Sequence, residues 1–222
     1  MPTLALNVAE QELIGPAGGR TTCVLGVGDG MAALALAAMG ARVTIADPSQ
    51  SLLDMMMIRA RIVGVDLNLV QTDICDLAAL RNSTFQLAYA AQVTRQFDNI
   101  DRFYAEAYRI LCSGGRLVIN EYHPFRRIWK QEVGQPQVQC SYFDRRRPRE
   151  EENLLPDPNA PGACLGRYDF SWTVSDHLNA LIAAGFRIAV LEEVGDVRQK
   201  WEIPNMKGLP EQLVIAADRT AE

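Results

Sequence analysis

The chain has 222 residues, of which 48% are hydrophobic and 22% charged, with a formal net charge of −5. This length fits one domain with a large buried core. The acidic balance provides no basic field for nucleic acid or anionic lipid, and no apolar run is long enough to span a bilayer. We therefore expect neither a nucleic-acid partner nor a membrane partner.

The five cysteines are scattered, and no two of them have the spacing of a metal site or a redox motif. Such thiols are typical of reduced, structural cysteines. The first residues lack the basic flank and the long apolar segment of a signal peptide. The sequence therefore predicts a cytoplasmic protein without a metal centre.

Predicted strands and helices alternate through the first half of the chain, after a short helical pattern at residues 7–14. The strands are predicted at residues 22–25, 42–46, 67–71, 85–90 and 116–120. The helices are predicted at residues 29–39, 49–63 and 100–111, and the Ser-Gly-Gly run at 113–115 is expected to close the last of them. Alternation of this kind indicates a parallel sheet covered by helices on both faces.

The regular pattern breaks at about residue 126 and resumes with a helix at 174–184 and strands at 186–192 and 212–217. An irregular stretch this long inside a domain is usually a functional lid or a disordered excursion. We therefore predict a single domain over residues 1–222 with a lid-like insertion at about 126–170. Its aromatic segments 139–144 and 167–172 are expected to pair as a hairpin, with Trp201 forming a further wall.

A glycine turn follows the first predicted strand, with Gly26, Gly28 and Gly30 at alternating positions, and the second strand ends at Asp47. Glycines let backbone approach a ligand closely, and an acid in this place can bind both hydroxyls of a ribose. Helix capping beside Pro48 is the alternative interpretation of Asp47. The pattern predicts a nucleotide-like cofactor.

This ordered set of motifs resembles the class I S-adenosylmethionine-dependent methyltransferases, in particular the bacterial small-molecule enzymes. The matching segments are residues 23–30, 45–49, 71–74, 85–91, 108–119 and 183–186. The resemblance implies a Rossmann-like α/β fold: a seven-stranded, mostly parallel sheet with helices on both faces, whose antiparallel last strand inserts between the fifth and sixth. It also implies S-adenosyl-L-methionine as cofactor and in-line transfer of its methyl group to an O, N or C atom of a small molecule.

The resemblance also implies which residues contact the cofactor. The glycine turn would pass beneath it, Asp47 and Pro48 would hold the ribose, and the next two loops would face the adenine and the methionine. These residues are Gly26, Val27, Gly28, Gly30, Asp47, Pro48, Asp73, Ile74, Ala90 and Ala91. Capping is an alternative role for Asp73. Val24 departs from the family, which usually has an acid there.

His123, at the carboxyl end of the fifth strand, is the candidate general base for an acceptor that must lose a proton. A structural loop histidine beside Pro124 is the alternative, and Glu121, Tyr122 and His177 are weaker candidates.

Two other functions stay open: a nicotinamide-dependent oxidoreductase, which shares the glycines and the acid, and a non-catalytic S-adenosylmethionine-binding subunit, suggested by Val24. The sequence also leaves a homodimer open.

Overall fold

Helices and strands alternate along the part of the chain that the computed structural model describes, which is residues 5–129, 137–144, 149–150, 155–156, 164–165, 168–195 and 208–220. The helices are α1 (Val8–Ile14), α2 (Met31–Ala38), α3 (Gln50–Val63), α4 (Ile100–Ile110) and α5 (Val174–Ala183). The strands of the main sheet are β1 (Thr21–Leu25), β2 (Arg42–Asp47), β3 (Leu67–Gln71), β4 (Phe85–Ala91), β5 (Leu111–Tyr122), β10 (Phe186–Val194) and β11 (Gln212–Arg219). Four two-residue strands lie between β5 and α5: β6 (Arg149–Glu150), β7 (Leu155–Pro156), β8 (Cys164–Leu165) and β9 (Tyr168–Asp169).

The main sheet has seven strands in the order β10-β11-β5-β4-β1-β2-β3. Strands β1 to β5 are parallel where they pair. Strand β11 runs antiparallel to both of its neighbours, β5 and β10. The predicted fold class is confirmed, including the insertion of the last strand between the fifth and the sixth.

The core forms two apolar layers, one on each face of the sheet. Residues of α1, α2 and α3 pack with Val24 and Tyr89 on one face. Residues of α4 and α5 pack with Leu25 and Ile119 on the other. Neighbouring positions along a strand point to opposite faces, so Val24 and Leu25 enter different layers.

The helix starts follow from local hydrogen bonding. Asn7 caps α1 by accepting from the Glu10 N–H at 2.8 Å, and Glu10 reaches back to the Asn7 N–H. Thr173 and Asp176 form the same reciprocal pair at the start of α5. Each pair satisfies N–H groups that the first helical turn leaves without partners.

The predicted closure of the fourth helix by residues 113–115 is wrong. Helix α4 ends at Ile110 and β5 starts at once, because the N–H groups of Ser83 and Thr84 donate to the last carbonyls of the helix at 2.9 and 2.8 Å. Residues 112–115 lie in an irregularity of β5, where the pairing steps from Phe85↔Leu111 to Leu87↔Arg116.

The described residues of the insertion form two short antiparallel ladders, β6 with β9 and β7 with β8. The predicted pairing of segment 139–144 with 167–172 is wrong, because Tyr168–Asp169 pairs with Arg149–Glu150 instead. The sequence offers no turn signal that fixes this register, since the intervening residues lack a clean period. The wall expected at Trp201 lies outside the described residues.

Candidate cofactor and active site

A cavity of about 850 Å³ opens where β1 to β4 end at their carboxyl side. It is lined by the glycine turn after β1, the loops after β2, β3 and β4, and the start of α1. Ligands of open parallel sheets bind at this edge. A second space of similar volume lies at the amino ends of β1, β2 and β3. We assign function to the first, because it lies at this ligand-binding edge and contains the glycine turn and Asp47.

The three glycines of the turn have different surroundings, although all have positive φ. A Cβ on Gly26 would lie 2.8 Å from a methyl of Val93, whereas one on Gly28 would meet no described atom within 4 Å. Gly28 and Gly26 line the cavity. Gly30 is outside the lining, and a Cβ there would overlap the sulfur of Met56. Gly28 therefore faces space that a ligand can fill.

Asp47 is fixed at the centre of this edge by two backbone donors. Its Oδ2 accepts from the Val27 N–H at 2.7 Å and its Oδ1 from the Ser49 N–H at 2.8 Å. Only 6% of the residue is exposed. Ser49, not Asp47, is the N-cap of α3. Each carboxylate oxygen keeps a lone pair for a further donor, so Asp47 can still bind two hydroxyls.

The loops after β3 and β4 supply the other predicted contacts. Asp73 and Ile74 line the cavity, and Asp73 Oδ1 also accepts from the Cys75 N–H at 2.8 Å. Ala91 lines the cavity, whereas Ala90 is fully buried in the α4–α5 layer. The structure therefore brings together all the predicted cofactor residues except Gly30 and Ala90, with Val27 and Pro48 also in the lining.

The loop after β4 is shaped by a buried carboxylate that the sequence indicated only weakly. Glu121 Oε1 accepts from the N–H groups of Val93 and Thr94, both at 3.0 Å. Gln92, which lines the cavity, has φ of 55°. A non-glycine residue rarely adopts this conformation, and where it does the surroundings usually impose it at a functional site.

Sequence reasoning missed the polar side chains that line the cavity on the side of β4 and β5. Glu10 of α1 is 3% exposed and accepts from the Tyr89 hydroxyl at 2.5 Å. Asn120 and Gln212 bond to each other at 3.2 Å beside it. In the sequence Glu10 is recognisable only as the acid of a capping box with Asn7, a signal for a helix start and not for a site.

His123 lies outside the cavity lining and its ring is held by two contacts. Nδ1 accepts from the Phe125 N–H at 3.1 Å, so Nε2 carries the proton and donates to Glu193 Oε1 at 2.8 Å. Burial lowers the pKa of His123, and Glu193 offsets part of this shift. Both nitrogens are therefore engaged, and the catalytic role of His123 stays a prediction.

His177, a weaker candidate, is part of the buried core between α4 and α5. Its Nδ1 lies 2.7 Å from the Tyr104 hydroxyl. Burial lowers the pKa of His177 to about 4 and raises that of Tyr104 well above its usual value. His177 is therefore neutral at pH 7.

The end of the insertion is attached to the loop that follows β4. The Phe170 N–H donates to Arg95 O at 2.7 Å, and the Trp172 indole N–H donates to Thr94 O at 3.0 Å. Arg95 lines the cavity. These bonds place one end of the insertion at the rim of the cavity.

None of the described helices is long and apolar enough to cross a membrane. Among the described residues, no group of three or more His, Cys, Asp and Glu is arranged to hold a metal ion.

Residues 24–119 match the family model of a methyltransferase domain. No curated protein has a significant sequence match to the chain. Among solved structures, an S-adenosylmethionine-dependent methyltransferase from Mesorhizobium loti is 24% identical, with 94% of this chain and 95% of that chain covered and a TM-score of 0.71.

A second solved structure, a putative S-adenosylmethionine-dependent methyltransferase from Listeria monocytogenes, is 20% identical, with 95% of each chain covered and a TM-score of 0.73. The 4+2 cyclase SpnF is 19% identical, covers 92% of this chain and 76% of its own, and has a TM-score of 0.62. At these identities the matches establish a shared fold over nearly the whole chain.

Proposed function

We propose that this chain, a class I S-adenosylmethionine-dependent methyltransferase, transfers the methyl group of its cofactor to an O, N or C atom of a small molecule. Residues 24–119 match the methyltransferase-domain model, and strands β10 and β11 outside this range belong to the same sheet.

One observation supports the assignment of particular residues to the cofactor. Gly28, Asp47 and Asp73 lie at or just after the ends of three separate strands and line one cavity. A carboxylate at the end of β2 can accept both ribose hydroxyls, and charge-assisted bonds of this kind are the stronger ones. The open space over Gly28 leaves room for the cofactor to lie against the backbone. Asp73, one loop further, is available to the adenine amino group.

Transfer from a sulfonium is an in-line displacement, so the protein contributes mainly by positioning the reactants and excluding water. The rim at Arg95, to which the insertion is bonded, supports an acceptor small enough to enter between the insertion and the sheet. A general base is needed only when the methyl-accepting atom must lose a proton. We propose a catalytic role for His123 only in that case. The absence of a nucleic-acid partner and the question of a homodimer stay predictions from the sequence.

The cofactor site is tested by Asp47→Asn, with the exposed Asp54→Asn of α3 as the matched control. We expect Asp47→Asn to weaken the binding of S-adenosylhomocysteine about 10- to 100-fold, because a charge-assisted hydrogen bond contributes about 1.5–3 kcal/mol. Isothermal titration calorimetry measures the affinity, and circular dichroism checks that the variant is folded. Unchanged affinity in a folded Asp47→Asn would show that the site is misassigned.

The same measurement separates the alternatives. Binding of NADH in place of S-adenosylhomocysteine by the wild-type protein would favour an oxidoreductase. Retained cofactor binding without methyl transfer to any member of a broad acceptor panel would favour a non-catalytic binding subunit.

A further inference from the structure

The cavity contains a buried carboxylate for which the cofactor contacts named above give no role. Glu10 is 3% exposed and accepts from two neutral donors, the Tyr89 hydroxyl at 2.5 Å and the Asn7 N–H at 2.6 Å. Burying a carboxylate is costly unless a positive charge or several donors compensate it. Burial, with Glu10 beside it, raises the pKa of Tyr89 well above its usual value, so the phenol stays protonated and neutral.

A second buried acceptor lines the same cavity. Asn120 is 5% exposed, and its Oδ1 has no hydrogen-bond partner among the described residues. The orientation of this amide is determined by its neighbours: Gln212 Oε1 accepts from Asn7 Nδ2 at 2.8 Å and from Asn120 Nδ2 at 3.2 Å. Turning Asn120 over would set two oxygens against each other. An unpaired buried acceptor is rare.

The two acceptors lie over neighbouring strands. Tyr89, which donates to Glu10, pairs in register with Val24, and Asn120 pairs with Ala91. Neighbouring strands are about 4.8 Å apart. Because β4 is two strands and β5 three strands from β2, the acceptor over β4 is roughly 10 Å and Asn120 roughly 14 Å across the sheet from the strand of Asp47. That separation suits a group joined to the ribose through a short chain. An ammonium group has three donors and a positive charge. It can therefore donate to both acceptors and compensate the buried negative charge of Glu10.

We propose that Glu10, together with Asn120 Oδ1, binds the α-ammonium group of the methionine part of S-adenosylmethionine. This carboxylate comes from α1, whereas β1 contributes the apolar Val24 to the same cavity. The inference rests on the proposed function, because it names how this chain holds one end of the same cofactor. The reciprocal cap of α1 also fixes the Glu10 carboxylate, because its Oε2 accepts from the Asn7 N–H.

The test compares two ligands by calorimetry: S-adenosylhomocysteine and its analogue in which hydrogen replaces the amino group. Wild type should prefer the amino compound about 10- to 100-fold, the range of a charge-assisted hydrogen bond. In Glu10→Gln the preference should fall below about 3-fold. Glu12→Gln, an exposed change on the same helix, should keep the wild-type preference. A wild-type preference retained in folded Glu10→Gln would overturn the inference.

A third ligand separates folding from recognition. Methylthioadenosine contains the adenine and the ribose but no amino-acid part, so Glu10→Gln should bind it as wild type does. If Glu10→Gln does not bind methylthioadenosine, the variant Asn120→Leu is compared instead, because this change leaves the cap of α1 intact. A preference for the amino compound at least 3-fold below that of wild type supports the inference. A preference equal to that of wild type overturns it. Failure of wild type to bind any of the three ligands would instead contradict the proposed function.

Discussion

At the scale of single residues, two glycines of the turn after β1 have different roles: one lies beside space for a ligand, and the other packs against α3. Gly28 faces the open cavity, and Gly30 lies against buried Met56 of α3. Both have a positive φ that disfavours a side chain. The same substitution at the two positions should therefore affect different properties of the protein.

We expect Gly28→Ala to weaken S-adenosylhomocysteine binding about 10-fold or more, because the methyl occupies space beside the ligand. Its free energy of unfolding should fall by only about 1–2 kcal/mol, the cost of the left-handed conformation. Gly30→Ala should lose more stability, because its methyl also overlaps Met56. Calorimetry and urea unfolding measure the two effects. Equal loss of affinity in both folded variants would contradict this division.

Because His177 is buried, we expect the free energy of unfolding to depend on pH. Its folded pKa of about 4 lies below the unfolded value of about 6.5. Between these values the unfolded state binds the proton and the folded state does not, so the free energy of unfolding falls as pH decreases from 6.5 to 4. The full effect is about 3 kcal/mol, at 1.36 kcal/mol per pKa unit.

Urea unfolding of wild type and His177→Gln at pH 4.5 to 7 measures this contribution. Glutamine keeps an acceptor for the Tyr104 hydroxyl but does not titrate in this range. The free energy of unfolding of wild type should therefore fall relative to that of His177→Gln as pH falls. A difference independent of pH would show that His177 is not held neutral.

At the scale of elements, the insertion is joined to the sheet at a defined place. Trp172 is buried and donates to Thr94 O in the loop after β4. That loop is also held from β5 by Glu121. One short loop therefore links β4, β5 and the insertion at the cavity rim.

Trp172→Phe should lower the free energy of unfolding by about 1–2 kcal/mol, since it removes a buried hydrogen bond and leaves part of the indole volume empty. Phe143→Leu, at a position 76% exposed in the same insertion, should change it by no more than about 0.5 kcal/mol. Urea unfolding compares them. Similar losses in both variants would contradict the anchoring role of Trp172.

At the scale of the whole molecule, the sheet order determines which loops meet. Because β1 lies beside both β2 and β4, the first loop is next to Asp47 on one side and to the loop after β4 on the other. Strand β11 brings Gln212 beside Asn120, and α1 packs over the same strands to place Glu10 there. The cavity thus joins residues from both ends of the chain.

Local patterns in the sequence predicted the main strands and helices and a nucleotide-like cofactor. The glycines at 26, 28 and 30 and the acid at 47 lie within about twenty residues of one another, and strand and helix periods depend on near neighbours. The alternation predicted the parallel part of the sheet, and the resemblance supplied the position of the last strand. The direct passage from α4 into β5 was missed, because its carbonyl partners, Ser83 and Thr84, come from outside the helix.

Only the tertiary structure decided what fills the space beyond the glycine turn. Glu10, Tyr89, Asn120 and Gln212 stand far apart in the chain, and each alone is consistent with an ordinary cap or core position. Their proximity follows from the strand order and from the packing of α1, neither of which leaves a local periodic signal. The sequence by itself therefore predicted the parallel part of the sheet and a nucleotide-like cofactor. The tertiary contacts decided that the Glu10 carboxylate of α1 lies in the cavity that Val24 also lines.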